Sequence, residues 1–244
     1  MPVQECLQVI ENVRIKEDVF RLVLSGQRHF FLKCGQFVNV KVPGKALRRP
    51  ISVTSYTDHT VTLTYRIAGE GTKLLTECTG ELDVINECGN GFSFDLFEKD
   101  ILLIGGGIGT APLVACAEEA VKRGLKVHAV FGFRDRSQTL FEEEMQKLDA
   151  DLHYVYDEDG ENTVTKVRDL GWQDMNFLCC GPTVMMRAAD ELMTGEGEFS
   201  LETRMGCGFG GCMGCSLKLK SGMARICKEG PVFRKGEILW ENLL

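Results

Sequence analysis

The sequence predicts an α+β, multidomain protein: an antiparallel β-barrel, then a doubly wound parallel α/β domain, then a small cysteine-bearing C-terminal segment. Three observations predict it. Residues 1–97 contain short segments of period-two alternation separated by Gly, Pro and Asp, the pattern of antiparallel strands in a barrel or sandwich. From Ile101 onward, continuous apolar runs alternate with helical patterns, as in parallel sheets covered on both faces. Beyond Phe199 neither pattern persists, and four cysteines crowd into the twenty-one residues from Cys207 to Cys227. The expected divisions are 1–98, 99–198 and 199–244.

The barrel strands are spelled by Val19–Leu24, Gln36–Val42 and Thr60–Arg66. Every second side chain in them is apolar, so one face can line a core while the other meets solvent. A short helix is expected over Thr72–Glu77. Ile101–Ile104 is the first strand of the second unit, followed by a glycine loop and a helix over Pro112–Arg123. Pro112 occupies a tolerated first-turn position and Gly124 a C-terminal cap. The alternation continues with strand Val127–Phe131, helix Phe141–Leu148, strand Leu152–Tyr156, helix Val164–Leu170 and strand Asn176–Cys180. Helix Pro182–Met193 and strand Phe199–Glu202 complete it.

With 244 residues and a 44% apolar fraction, the chain has material for two cores. A net charge of −7 and a pI near 5.3 argue against nucleic acid or an anionic membrane as partner. The N-terminal MPVQECLQVIENVRIKED lacks the cationic start and apolar core of a signal peptide. The longest apolar stretch, Ile101–Ala117, is broken by glycines and a proline and too short to span a bilayer. A cytoplasmic protein is expected. Eleven cysteines, an odd number without an export signal, argue against a disulfide scaffold. Seven of them are scattered, and most of those read as small buried apolar residues.

The other four form the strongest motif, Cys207-x4-Cys212-x2-Cys215-x11-Cys227. C-x4-C-x2-C with a distant fourth thiolate is the ligand spacing of a plant-type [2Fe–2S] cluster. The intervening Gly206, Gly208, Gly210, Gly211 and Gly214 let the backbone wrap tightly and aim N–H groups at sulfur. A structural zinc site is the competing reading, although zinc favours two short hooks joined by a longer spacer.

Three weaker motifs accompany it. Arg49-Pro50-Ile51-Ser52, expected at the end of a barrel strand, offers a guanidinium for a pyrophosphate and a hydroxyl for a flavin edge. Tyr65-Arg66 and Gly71-Thr72, the latter opening a helix, strengthen that reading. Gly105–Pro112 lies between a buried strand and a helix, where glycines admit a pyrophosphate, but Ala111-Pro112 replaces the third glycine of the usual dinucleotide fingerprint. Cys179-Cys180-Gly181-Pro182 ends a parallel strand, the ligand-binding edge of such sheets. Successive strand residues face opposite ways, so only one of the two thiols can face a ligand.

Taken in order, these motifs resemble the ferredoxin–NADP reductase superfamily, which pairs an N-terminal FAD-binding barrel with a pyridine-nucleotide domain. The segment from Arg204 to Phe233 is similar to that of the electron-transfer subunits of NAD-dependent, class 1B dihydroorotate dehydrogenases. The resemblance implies an FAD-binding barrel over 1–98, an NAD-binding domain over 99–198 and a [2Fe–2S] segment over 199–244. It implies flavin contacts at Arg49, Pro50, Ile51, Ser52, Thr64, Tyr65, Arg66, Gly71 and Thr72. Nucleotide contacts fall on Gly107, Gly109, Thr110 and Cys180, and catalytic positions on Ser52 and Cys180. The cofactors implied are FAD, a [2Fe–2S] cluster held by Cys207, Cys212, Cys215 and Cys227, and NAD(H). The implied partner is an FMN-containing catalytic subunit that oxidises dihydroorotate in pyrimidine biosynthesis, in a heterotetramer of two plus two. Arg134 and Arg136 stand where a 2′-phosphate could be held, while Asp135 opposes one; with the family's habit, this favours NAD. A flavin and iron–sulfur subunit of another reductase, such as a sulfite reductase, is the alternative, and a flavin-free zinc module lies in a different class.

Overall fold

The computed structural model describes residues 2–243, so the Met1 and Leu244 ends of the expected divisions lie outside the described residues. The chain opens with β1 (Val3–Arg14), β2 (Val19–Ser25), β3 (Phe37–Val40), β4 (Arg49–Tyr56) and β5 (Thr60–Arg66). A short helix α1 (Glu70–Leu75) precedes β6 (Glu81–Cys88). These six strands close into a barrel of order β1-β2-β5-β4-β3-β6. Alternate residues such as Leu7, Leu22, Leu24, Val38, Val53 and Leu63 fill its interior and are fully buried. Period-two spelling thus becomes the lining of a closed sheet, which leaves no exposed edge.

One expectation is corrected here. Arg49–Ser52 begins β4 rather than ending a strand. The strand runs on through Val53-Thr54-Ser55-Tyr56, whose polar residues look like a break in sequence but pair with β5 across a register shift between Val53 and Ser55. Strands β1 and β6 were not among the sequence expectations. They pair from Val3↔Asn86 to Gln8↔Glu81 and close the barrel.

The second unit follows the expected alternation. It comprises β7 (Asp100–Gly106), α2 (Ala111–Lys122), β8 (Lys126–Phe133), α3 (Glu142–Gln146), β9 (Asp151–Tyr156), α4 (Thr163–Asp169), β10 (Phe177–Cys180), α5 (Thr183–Leu192) and β11 (Gly197–Ser200). Its sheet runs β14-β11-β10-β7-β8-β9, where β14 is Val232–Arg234. Only the β11–β14 pairing is antiparallel. Helices α2 and α3 bury residues into one core and α4 and α5 into another, on opposite faces of the sheet. After β7 the chain moves outward to β8 and β9, then returns to β10 on the other side. The strand ends at β7 and β10 therefore form a topological switch point, where such sheets hold ligands.

The C-terminal segment is built into this sheet. A hairpin of β12 (Ser216–Leu219) and β13 (Gly222–Arg225) leads to β14, which pairs Phe233 with Phe199. Trp240 Nε1 donates to Asp190 on α5 at 2.7 Å, fastening the tail. Cys215, Ile226, Cys227 and Phe233 share one core with Phe177 and Phe199. No described helix is long and apolar enough to cross a membrane.

Candidate functional site

Three adjoining sites emerge. The first is a cavity of about 270 Å³ between barrel and sheet, lined by Pro50, Ile51 and Ser52 of β4 and by Thr64, Tyr65 and Arg66 of β5. Thr72 joins them, and Ile108, Ser200 and Glu202 close the opposite wall. Pro50 and Ser52 share one face of β4, whereas Ile51 is turned toward the barrel core and only 7% exposed. Thr64 is held by Thr54, whose Oγ1 donates to Thr64 Oγ1 and accepts from its N–H, both at 3.0 Å. Tyr65 donates to Asn12 Oδ1 at 3.1 Å, and burial raises its phenol above the ordinary range.

Arg49 does not line this cavity. Its guanidinium passes across Gly71, where a Cβ would stand 2.1 Å from Arg49 Nε, so a side chain at Gly71 would displace it. It donates to the Leu47 carbonyl at 2.8 Å. Thr72 Oγ1 accepts from the Ala68 and Gly69 N–H groups at 2.9 and 3.1 Å, fixing the entry to α1. Arg66 borders the cavity and both crevices of the second site. It is steered by Asp18 Oδ2 at 3.2 Å and Gln138 Oε1 at 3.3 Å.

The second site lies at the switch point. Gly107 has φ +53°, in the left-handed region that favours glycine. A Cβ on Gly109 would lie 2.6 Å from the Gly181 Cα, so the two loops touch backbone to backbone. Thr110 is fully buried and donates to the Gly107 carbonyl at 2.7 Å, which closes the turn. A crevice of about 580 Å³ beside it is lined by Gly106, Gly107, Arg134, Thr163 and Met185 among others, and a smaller one of about 280 Å³ lies between Gly109 and Gly181-Pro182. Among the described residues, Thr163 Oγ1 is buried in the larger one without a partner. Cys180 lines neither the cavity nor the crevices and is 2% exposed. Burial, then the nearby Glu202 carboxylate, raise its thiol despite a hydrogen bond with Ser200. Cys179 packs into the core on the other face of the sheet.

Arg136 is occupied within the chain. It donates to Glu158 Oε1 at 2.8 Å and to Asp159 Oδ2 at 2.7 Å, and its guanidinium lies 4.6 Å above the Tyr156 ring. Its hydrogen bonds hold the Asp159 carboxyl below the ordinary carboxylate range. Arg134 lines the crevice and has no ion pair among the described residues.

The third site is the cysteine loop. Gly211 and Cys212 N–H groups donate to Cys207 Sγ at 3.1 and 3.3 Å, and Cys207 and Gly214 donate to Cys212 Sγ at 3.4 Å each. Cys215 and Cys227 are buried with their sulfurs 3.2 Å apart. Positive φ values at Gly208 (+77°) and Gly210 (+93°) allow this winding. Burial raises the Cys207 thiol, but the N–H groups of Phe209, Cys212 and Gly211 together with the Cys212 side chain bring it down to about 6. A thiolate with several amides turned on it is what an iron–sulfur ligand requires. The residues present therefore fit a cluster. Phe209, Met213 and Met223 around them are 51%, 55% and 65% exposed.

The three sites share walls. Met205 and Pro231 line the first cavity, two residues before Cys207 and four after Cys227. Glu202, which sequence reasoning did not single out, borders both the first cavity and the smaller crevice beside Gly109. Its side chain is exposed at the mouth of the cavity, where nearby protein raises its carboxyl by desolvation, and it has no hydrogen-bond partner among the described residues. The signal was present: Ser200 pairs in register with Cys180, and Glu202 extends that strand two residues past the ligand-binding edge.

Residues 103–191 match the family described as oxidoreductase NAD-binding domain, and residues 202–239 match the iron–sulfur cluster binding domain of dihydroorotate dehydrogenase B. A relative from Fusobacterium nucleatum, named dihydroorotate dehydrogenase B (NAD(+)), electron transfer subunit, is 34% identical over 98% of this chain and 99% of its own. A protein of the same name from Geobacillus kaustophilus is 36% identical over 97% and 98%. Among solved structures, an NADH-dependent reduced ferredoxin–NADP oxidoreductase superposes with a TM-score of 0.85 at 25% identity, over 97% of this chain and 91% of that one. Phthalate dioxygenase reductase shares the fold at a TM-score of 0.70 and 19% identity, over 95% and 76%.

Proposed function

This chain belongs to the family of electron-transfer subunits of NAD(+)-linked dihydroorotate dehydrogenase B, and from that premise we propose which of its residues carry the transfer between NAD and the catalytic subunit. Its cofactors are FAD, a [2Fe–2S] cluster and NAD(H). Nicotinamide exchanges electrons as a hydride, the cluster exchanges them singly, and flavin, which does both, connects the two. The observation that carries our assignment is the shared walls: Glu202 and Arg66 between flavin and nucleotide sites, Met205 and Pro231 between flavin site and cysteine loop.

In this reading Pro50, Ile51, Ser52, Thr64 and Tyr65 form the flavin bed, and Ser52 presents its hydroxyl to the reacting edge. Arg49, Arg66, Gly71 and Thr72 serve the flavin's phosphates, with Arg49 held across α1 rather than in the bed. Gly107 and Gly109 bring backbone N–H groups to the nucleotide pyrophosphate, and Thr110 locks that turn. Cys180 lies behind Ser200 as packing at the nicotinamide end and reaches the reacting atoms only after a local rearrangement. Cys207, Cys212, Cys215 and Cys227 are the cluster ligands. The functional divisions are 1–98 for flavin, 99–198 for nucleotide and 199–244 for the cluster, although β11 spans the last boundary.

The partner we assign is an FMN-containing catalytic subunit, in an assembly of two plus two, located in the cytoplasm. Supporting this, the two-electron oxidation of a small organic substrate calls for a second flavin on the far side of a one-electron cluster. Eleven cysteines, an odd number, argue against a disulfide scaffold and suit a reducing compartment. The ligand assignment is tested with Cys212→Ser. The reduced variant should lose the rhombic electron paramagnetic resonance (EPR) signal and retain FAD. A signal identical to that of the unsubstituted protein would remove Cys212 from the ligand set.

A further inference from the structure

We propose that Asn39, a barrel residue outside both nucleotide pockets, is the positioning residue that holds the cluster loop against the flavin bed. Asn39 lies on β3 and is 1% exposed. A buried side-chain amide must find partners, and its Nδ2 donates to the carbonyl of Cys207, 168 residues away, at 2.8 Å. The contact is too close for any other loop residue to follow Cys207. A Cβ on Gly208 would stand 2.0 Å from Asn39 Nδ2, and Gly208 has φ +77° besides. Glycine at 208 is thus required both by the turn and by the approach to Asn39.

The strand that carries Asn39 explains what the hook aligns. Within the β3–β4 pair, Asn39 stands opposite Pro50 and Phe37 opposite Ser52. Phe37, Pro50 and Ser52 all line the flavin cavity. One two-stranded ribbon therefore carries the flavin bed and, through one hydrogen bond, the first cysteine ligand. The rest of the loop is anchored differently. Cys215 and Cys227 sit in the core beneath the nucleotide sheet. Cys207 and Cys212 are less buried, and their loop has Met205 at the cavity wall as its other tie to the flavin. Without Asn39 the exposed half of the site keeps Met205 at the cavity wall and the Arg225 Nη1 hydrogen bond to the Gly210 carbonyl at 2.6 Å, but the barrel strand no longer sets where Cys207 stands relative to the flavin bed.

The inference rests on Cys207 being a ligand, and the two can fail separately. If Cys207→Ser keeps the EPR signal, the ligand assignment falls whatever Asn39 does. The test of Asn39 uses the full chain with FAD and cluster bound. Asn39→Leu keeps the side chain's size and removes the donor, and Asn39→Asp keeps its shape and removes the donor. Hydrogen exchange by mass spectrometry should show the amides of residues 205–214 exchanging about tenfold faster in both variants. Flavin content and exchange in the barrel strands should match the unsubstituted protein, and the EPR lines of the reduced cluster should shift or broaden. Unchanged loop exchange together with an unchanged EPR spectrum overturns the proposal. So does loss of FAD with the loop still protected, since Asn39 would then serve the flavin bed. If both variants fold poorly, Gly208→Ala probes the contact from the loop side, and it overturns the proposal if exchange and EPR stay as they were.

Discussion

Arg136 shows how a residue's neighbours decide its role. Read alone, Arg134 and Arg136 after β8 suggest a grip on a 2′-phosphate. In the fold, Arg136 is bound by Glu158 and Asp159 and stacked on Tyr156, so the charge that would attract the phosphate is already matched. The same carboxylates would repel it. Glu158→Gln with Asp159→Asn should release Arg136 and raise kcat/KM for NADPH relative to NADH by about tenfold; an unmoved ratio contradicts this role. The role of Arg136 was not legible in the sequence, because it depends on which side chains lie opposite.

At the scale of elements, the strands and helices that carry their own signal were legible. The period-two runs at Val19–Leu24 and Thr60–Arg66 and the strand–loop–helix at Ile101–Arg123 appear with ends displaced by a residue or so. Strands β1 and β6 were missed because polar residues stand at buried and half-buried positions as well as exposed ones, Glu5 and Glu11 in β1 and Asn86 and Glu87 in β6, and weaken the pattern, although closure of the barrel depends on them. Strand β14 was missed for a different reason. Three residues, Val232–Arg234, make a strand only because β11 offers them an edge. The cysteine loop was the most legible element, since its spacing is dictated by the metal chemistry rather than by tertiary context. Its exposed Phe209 and Met213 form an apolar rim around the less buried Cys207 and Cys212. Such residues are enriched at interface cores. Phe209→Ser with Met213→Ser should raise the dissociation constant for the catalytic subunit by about tenfold or more, with flavin content unchanged. Size-exclusion chromatography of the mixed subunits reads this directly, and co-elution as tight as before would put the interface elsewhere.

The whole molecule places three sites in a row and gives one end a charge of its own. From Glu202 onward the chain has seven Lys and Arg against four Glu, although its overall charge is −7. The segment that carries the cysteine loop thus has a net positive charge, suited to an acidic partner surface. The cluster segment is not an appendage, because β14 and Trp240 bind it to the nucleotide sheet while Asn39 ties it to the barrel. That order, with the flavin cavity between the other two sites, suits two-electron exchange at the nucleotide site and one-electron exchange at the cysteine loop. The most direct test is to mix the purified catalytic subunit with this chain and follow NADH formation from NAD+ on addition of dihydroorotate, without oxygen. The unsubstituted chain should support it and Cys212→Ser should not, although the variant still binds FAD. Undiminished NADH formation with Cys212→Ser would contradict the account, because electrons would then reach the flavin without the cluster.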